Sequence, residues 1–401
     1  MSESEKKLAF ATKLYQFVKR FSFLMKLRVC FYFFDSLILF LLRRPEKNFS
    51  QKKRICILLL PGMGDCIIFC RLAKSLKKAL PSDQYELTIL SNDTHQKLLA
   101  QFFDNVIGLP FYKMSFNPFA RFQILVRLRN LYFDELWDVN GCGECTPNIF
   151  ISHAVNAKEK RVAYPGLLDY GKRKQHCPEW LKKRIFTELI DIPDKIHLLT
   201  VFQYFFENLT KEKIEIYNIS FSKRKPCGIP EQYYVFVPSG SQVRNLWDTK
   251  KFIALAEHLF SEKKIPIILC GASGDHQTCA EIEEKLMKDK ITVINLAGKT
   301  SFEELVWLFS YAKEVFTIDT GSFHLAVATG IKTTVIASDS VFSLYINYPE
   351  SVIGAKLTIH HTDPDCRNCG NNCYQKTLES YPCLKKITVD EVLKENFTLR
   401  G

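Results

Sequence analysis

"NLAGKTSFEELVWLFSYAKEVFTIDTGSFHLAVATG", residues 295–330, decides the fold. Thr300 and Ser301 with Glu304 form a capping box, in which a hydroxyl and a carboxylate serve the free N–H groups of a helix start. The helix this opens, 301–312, gives way to the short apolar run "EVFTI", which reads as a buried strand. That strand ends at Asp319, where Thr320, Gly321 and Ser322 start another helix, 322–329. Strands and helices alternating at this spacing build a parallel sheet covered on both faces.

The same alternation extends both ways. "YYVFVP", "IPIILC", "ITVINL" and "TTVIA" read as further strands, with helices at 248–262 and 275–287 between them. Upstream, "ICILLL", "ELTIL", "NVIGL" and "ELWDV" are strands separated by helical stretches near 66–80, 94–103, 118–131 and 147–157, and a mostly helical stretch follows at about 178–209. The polar, proline-containing "SFSKRKPCGIPEQ" (220–232) reads as a linker. With 401 residues, more than one ordinary core supports, two domains are expected. The fold class is therefore α/β, with two Rossmann-like, doubly wound domains at 51–222 and 223–365. They are flanked by an arm, 1–50, and a cysteine-rich tail, 366–401, and face one another across a cleft at the carboxyl ends of their strands.

Net charge of +12 points to an anionic partner. No nucleic-acid-binding module accompanies it, which argues against nucleic acid. In the arm, residues 6–44 mix Lys and Arg with Phe, Leu and Tyr, then become apolar from Val29 to Leu42. Fourteen residues containing Asp35 are too few to span a bilayer, for which about 20 are needed. The arm reads as an amphipathic element lying on an anionic leaflet, or else as a helix packed on the protein itself. No secretory signal is recognisable, and cysteines set singly in apolar runs (Cys56, Cys66, Cys70, Cys270) read as reduced core thiols.

Four loops carry chemistry. After "EVFTI", Asp319, Thr320, Gly321 and His324 surround a helix start whose free N–H groups suit a diphosphate, with ordinary capping as the simpler reading. "VPSGSQVRNLWD" (237–248) offers Ser239, Gly240, Ser241 and the cation Arg244 to phosphate oxygens. "CGASGD" (270–275), with Asp275, has the small residues that let a nucleoside lie against the backbone. "PGMGDC" (61–66) is a glycine turn containing Gly62, Met63 and Gly64, but its Asp65 would repel a phosphate. That carboxylate reads either as a helix cap or as a general base.

Together, "LLLPGMGDCI", "VFVPSGSQVRNLW", "ILCGASGD", the 295–330 block and "CLKKITVDEV" resemble glycosyltransferase family 9, the heptosyltransferase-like enzymes of bacterial lipopolysaccharide assembly. The likeness runs over about residues 53–393. It implies a GT-B architecture and an inverting transfer without a catalytic metal, from a nucleotide-sugar donor, typically ADP-heptose. It also implies a lipid A–core or other anionic glycan acceptor. By this resemblance Asp65 is the general base, with Gly62, Met63 and Gly64 in its acceptor loop. Asp319, Thr320, Gly321 and His324 form the donor diphosphate site, Ser239, Gly240 and Ser241 its companion loop, and Asp275 lies near the nucleoside. The family commonly has a Lys two residues before the Trp; here that position is Asn245, and Arg244 beside it takes over the leaving diphosphate or the donor differs. The setting implied is the inner face of the cytoplasmic membrane. Within the family a protein acceptor, such as a surface adhesin, is the alternative to lipid; outside it, a non-catalytic nucleotide-sugar-binding scaffold.

Two further clusters stand apart from this pattern. Lys172, Arg173, Lys174, Lys182, Lys183 and Arg184 suit acceptor phosphates or form a solvated face. Cys366, Cys369, Cys373 and Cys383 fall within 18 residues, a spacing that suits a structural zinc or iron closed by four thiolates. Two disulfides or reduced structural thiols are the alternative.

Overall fold

The computed structural model describes residues 51–60, 62–142, 147–164, 177–221, 226, 228–353, 356–365, 367–370, 373 and 380–398. Two six-stranded parallel sheets form its frame. The first contains β1 (Lys53–Leu59), β2 (Tyr85–Asn92), β3 (Asn105–Leu109), β4 (Tyr132–Asp138), β5 (Asn156–Tyr164) and β6 (Glu188–Asp191), in the order β3-β2-β1-β4-β5-β6. The second contains β7 (Tyr234–Val237), β8 (Ile267–Leu269), β9 (Val293–Asn295), β10 (Glu314–Ile318), β11 (Thr333–Ile336) and β12 (Leu357–His360), in the order β12-β11-β10-β7-β8-β9. Central strands β7 and β10 are buried along their whole length, which is why they read as unbroken apolar runs.

Strand order reverses beside the first strand of each sheet, where β1 pairs with β4 and β7 with β10. At such a point the loops after the two strands turn to opposite faces and leave a crevice at their carboxyl ends. The glycine turn of Asp65 follows β1, and the loops of Ser239 and Asp319 follow β7 and β10. Topology alone therefore gathers the chemistry-bearing loops.

Three strands depart from the sequence reading. β5, "NAKEKRVAY", occupies the end of the expected 147–157 helix and continues beyond it; its charged residues hide the alternation that a half-buried strand should show. β6 and β12 have four residues each, too few for a periodic signal, and β6 interrupts the expected 178–209 helix. The capping box is present: Ser301 Oγ accepts from Glu304 N at 3.2 Å, and Ser301 N donates to Glu304 Oε2 at 2.8 Å.

One hydrophobic cluster runs through both halves, joining Phe69, Phe202, Phe206 and Trp137 to Phe309 and Phe323. Its hinge is the helix Leu198–Thr210, where Phe202 and Phe206 place their rings 5.9 and 5.8 Å from that of Phe69. The chain then returns extended between the halves. Tyr217 N donates to Arg71 O at 2.9 Å and Ile219 N to Ala328 O at 2.8 Å, so this segment is fastened to both. The arm 1–50 lies outside the described residues, among which no helix is long and apolar enough to cross a membrane.

Candidate active site

The helix Met63–Cys70 starts at Gly62 with no side-chain cap, and Asp65 sits in its first turn rather than at the cap. From there its carboxylate still accepts backbone N–H groups of the helix start, that of Gly62 among them, so a capping role stands beside any catalytic one. Asp65 is 7% exposed, and its Oδ1 accepts the Tyr345 hydroxyl from the opposite half at 2.9 Å. Its Oδ2 lies over the turn, where a Cβ on Gly62 would come within 3.3 Å. The turn itself is held by Asn140, whose Oδ1 accepts Leu60 N and whose Nδ2 donates to Leu58 O, each at 2.9 Å. Asn140 is in turn fixed by the buried Asp138 at the end of β4.

Opposite lies the helix Gly321–Thr329, whose N-cap Thr320 makes no side-chain cap bond, leaving its first N–H groups for another acceptor. Thr320 Oγ1 is buried without a hydrogen-bond partner among the described residues, a donor suited to a ligand oxygen. The two helix starts nearly touch. A Cβ on Gly64 would lie 2.5 Å from His324 Cδ2, and one on Gly321 would lie 3.5 Å from Met63 Cγ. Met63 remains 42% exposed at this rim. Gly240 meets the same site, since a Cβ there would be 2.5 Å from Thr320 Cγ2. Ser239 Oγ donates to Asp275 Oδ1 at 2.8 Å, while Asp275 Oδ2 accepts Ala272 N at 2.8 Å, so Asp275 ties the β7 and β8 loops together.

The carboxylates are electrostatically unusual. Burial pushes Asp65 up to about 6, against the opposing pull of the Tyr345 hydroxyl. Asp319 is likewise raised to about 6, by burial first and then by the charge of Asp65, while Asn245 Nδ2 steadies it from 3.0 Å. Each thus sits within about a unit of neutral pH, where a carboxylate can exchange a proton. Burial lowers His324 to about 3, so its imidazole is neutral, and its Nδ1 lies 3.0 Å from the Tyr348 hydroxyl.

Two assigned residues are less enclosed than this centre. Ser241 is exposed, and Arg244 packs its guanidinium 5.9 Å from the Tyr381 ring while its carbonyl accepts Tyr381 N. Asn245, at the family's Lys position, instead donates to both the carboxylate and the carbonyl of Asp319. Of the basic cluster, Lys182 is withdrawn from any acceptor: it is buried, 2.8 Å from Glu179 Oε2 and 4.5 Å from the centre of the Tyr164 ring. Lys183 and Arg184 are exposed, and Lys172, Arg173 and Lys174 lie outside the described residues.

Among the described residues the expected four-cysteine metal site is not supported. Cys366 lies outside the described residues, among which no three His, Cys, Asp or Glu side chains are grouped to hold a metal. Cys369 bonds the Gly370 carbonyl, while Cys373 and Cys383 pack in the apolar cluster of the second sheet. With Asp339 and Tyr381 these three line a cavity of about 60 Å³. Cys56, Cys66, Cys70, Cys270, Cys279 and Cys373 are free thiols.

Sequence reading missed Tyr345, Tyr348 and His197. The tyrosines lie in and just after the π-helix Phe342–Ile346, in "VFSLYINYPE", which carries no motif. His197 Nδ1 accepts Leu199 N at 3.1 Å, so its Nε2 donates to Tyr345 O at 3.1 Å, and its ring lies 3.8 Å from that of Tyr348. The only available signal was an exposed-type residue, His, opening an otherwise apolar helix.

Comparison with known proteins finds similarity to heptosyltransferases. Residues 198–337 match glycosyltransferase family 9 (heptosyltransferase). Lipopolysaccharide heptosyltransferase 3 of Escherichia coli is 32% identical over 119 residues, covering 29% of this chain and 34% of that protein. The match thus spans about a third of that relative's length. The lipopolysaccharide core heptosyltransferase OpsX of Haemophilus influenzae is 23% identical over 287 residues, 69% of this chain and 77% of that one. Among solved structures, E. coli heptosyltransferase WaaC with ADP-2-deoxy-2-fluoro heptose has a TM-score of 0.60 at 16% identity, covering 86% of this chain and 99% of that one, which fixes the fold as GT-B. With its two facing sheets, its glycine turn and its Asp-Thr-Gly-x-x-His helix start, the chain is similar to glycosyltransferase family 9, whose match lies within residues 198–337.

Proposed function

We propose that the protein is an inverting heptosyltransferase that moves heptose from ADP-heptose to a lipopolysaccharide core acceptor. The observation that carries this reading is the meeting of two helix starts, one bearing Asp65 and the other the unpartnered Thr320 hydroxyl beside Gly321 and His324. The donor diphosphate rests on the N–H groups of the Gly321 helix and on Thr320, with Ser239 and Gly240 beside it. The adenosine end lies toward the β8 loop, where Asp275 braces Ser239. Asp65 takes the proton of the acceptor hydroxyl as that oxygen attacks the anomeric carbon and the bond to the diphosphate breaks on the opposite face. Charge builds on the departing diphosphate, and fixed N–H dipoles stabilise it without reorganising. No catalytic metal is required by this scheme. Arg244 would have to swing away from Tyr381 to reach the leaving group, so its role is to close over bound donor.

The acceptor sits on the first-sheet side, toward Asp65, with exposed Lys183 and Arg184 available to its phosphates. The basic arm 1–50 would hold the protein on the inner face of the cytoplasmic membrane, where such a lipid is made. A structural zinc or iron would need Cys366 to join Cys369, Cys373 and Cys383. A protein acceptor remains the second reading within the family, and it shares every donor-side residue.

A thermal-shift panel of ADP-, GDP-, UDP- and CMP-sugars tests the donor assignment. ADP-heptose should raise the melting temperature selectively; equal or absent shifts across the panel would contradict it.

A further inference from the structure

Tyr345 reaches Asp65 from the opposite half of the molecule, and its backbone is unusually constrained. It sits in a π-turn in which Asn347 N donates to Phe342 O at 2.9 Å, a wide turn of the sort often found where a side chain must be re-aimed. His197 fixes the Tyr345 carbonyl from the first half. From the other side comes Asn368, in the cysteine-rich tail. Its Oδ1 accepts Ser343 N at 2.9 Å and its Nδ2 donates to Ser343 Oγ at 2.8 Å, a two-pronged grip on the turn. Asn368 itself adopts φ of +61°, a left-handed conformation that Asn tolerates better than most residues, and its N–H donates to Asp339 O at 2.7 Å. Arg367 beside it bonds Asp339 Oδ1 and lies 4.6 Å from the Phe342 ring.

We propose that Tyr345 is the positioning residue of Asp65, and that the Asn368 segment braces the π-turn so that the hydroxyl meets the carboxylate across the crevice. This rests on the reading of Asp65 as the base. The base belongs to one half and its orienting group to the other, so the packing of the two halves aims the carboxylate. It also gives the cysteine-rich tail a task that needs no metal: the tail is a strut for the turn.

The titratable groups around Asp65 are Cys66 on its own helix, Asp319 and His324 from the β10 loop and its helix, and Tyr345 and Tyr348 from the π-turn, with His197 and Arg71 behind the tyrosines. Of these, Tyr345 is the hydrogen-bond donor to its side chain. A hydroxyl donated to a carboxylate favours the charged form, so removing it must raise the titration midpoint.

The test follows the Asp65 carboxyl by ¹³C NMR in full-length protein labelled at aspartate, with Asp65→Asn assigning the signal. In Tyr345→Phe the midpoint should rise by about half a pH unit or more. In Asn368→Ala, which leaves the tyrosine in place, it should rise by less, with the fold intact by circular dichroism in both. Steady-state ADP release from ADP-heptose, with a heptose-deficient core acceptor, should show kcat lower by roughly tenfold in Tyr345→Phe, an unchanged donor KM and an acidic limb moved to higher pH. An Asp65 midpoint identical in wild type and Tyr345→Phe would overturn the inference while leaving the base in place. Undiminished turnover in Asp65→Asn would remove the base on which it rests.

Discussion

At the residue scale, Asp65 is held where its charge is costly. Its folded value, raised to about 6, lies above that of an unfolded aspartate near 4, so the folded state binds the proton more tightly. Stability from this group is fully present below pH 4 and is lost as pH rises through 6. At pH 7.5 the charged carboxylate therefore costs the fold on the order of 3 kcal/mol. Asp65→Asn should consequently melt at higher temperature than wild type at pH 7.5, with the gap closing as pH falls from 6 to 4 in a thermal melt series. An equal gap at both ends would mean that the substitution acts through packing instead. Burial of a carboxylate that destabilises its own fold is the pattern expected where function rather than stability chose the residue.

At the scale of elements, the contact between the two helix starts depends on glycine. Gly64 has no room for a Cβ, because the ring it would strike belongs to His324, which is buried and anchored to Tyr348. Gly64→Ala must push the starts apart, and a displacement of about 1 Å at reacting groups costs roughly a hundredfold in rate. Turnover should fall to that extent while the far-ultraviolet circular dichroism spectrum is preserved; near-normal turnover would show that the two helices need not meet. This element was legible in the sequence, since "PGMGD" and "TIDTGSFH" each announced a strand-to-helix turn with small residues. What was not legible is the third element of the site. The π-turn of Tyr345 carries no glycine, charge or period, and it enters the site only because the chain after β11 folds back over the crevice. The short strands β6 and β12 escaped for a related reason: four residues cannot display a period, and only pairing with a neighbour defines them.

At the scale of the whole molecule, both sheets were visible in the alternation of apolar runs and helices. Their reversal points explain why the glycine turn and the Ser239 and Asp319 loops converge. The core that joins the halves was not visible, because an apolar face does not name its partner. Phe202 is fully buried in the cluster that reaches across both sheets. Phe202→Ala should cost about 3–5 kcal/mol by urea denaturation, with the two halves unfolding less cooperatively. A loss below about 1 kcal/mol would mean that the halves are stable without this contact. The metal reading of the cysteine-rich tail finds no support among the described residues, for a physical reason. Four thiols at short spacing suit a metal, but spacing along the chain does not fix where side chains point, and here one thiol turns to a carbonyl and two into apolar packing.

The central claim is that Asp65 is the base of a glycosyl transfer whose donor is held by the other half. It is tested most directly by kcat of Asp65→Asn for ADP release from ADP-heptose in the presence of core acceptor, measured beside the donor dissociation constant. The account predicts a loss of roughly a hundredfold or more in kcat with donor affinity within about threefold of wild type. A variant that keeps most of its kcat, or that loses donor binding in proportion to rate, would contradict it.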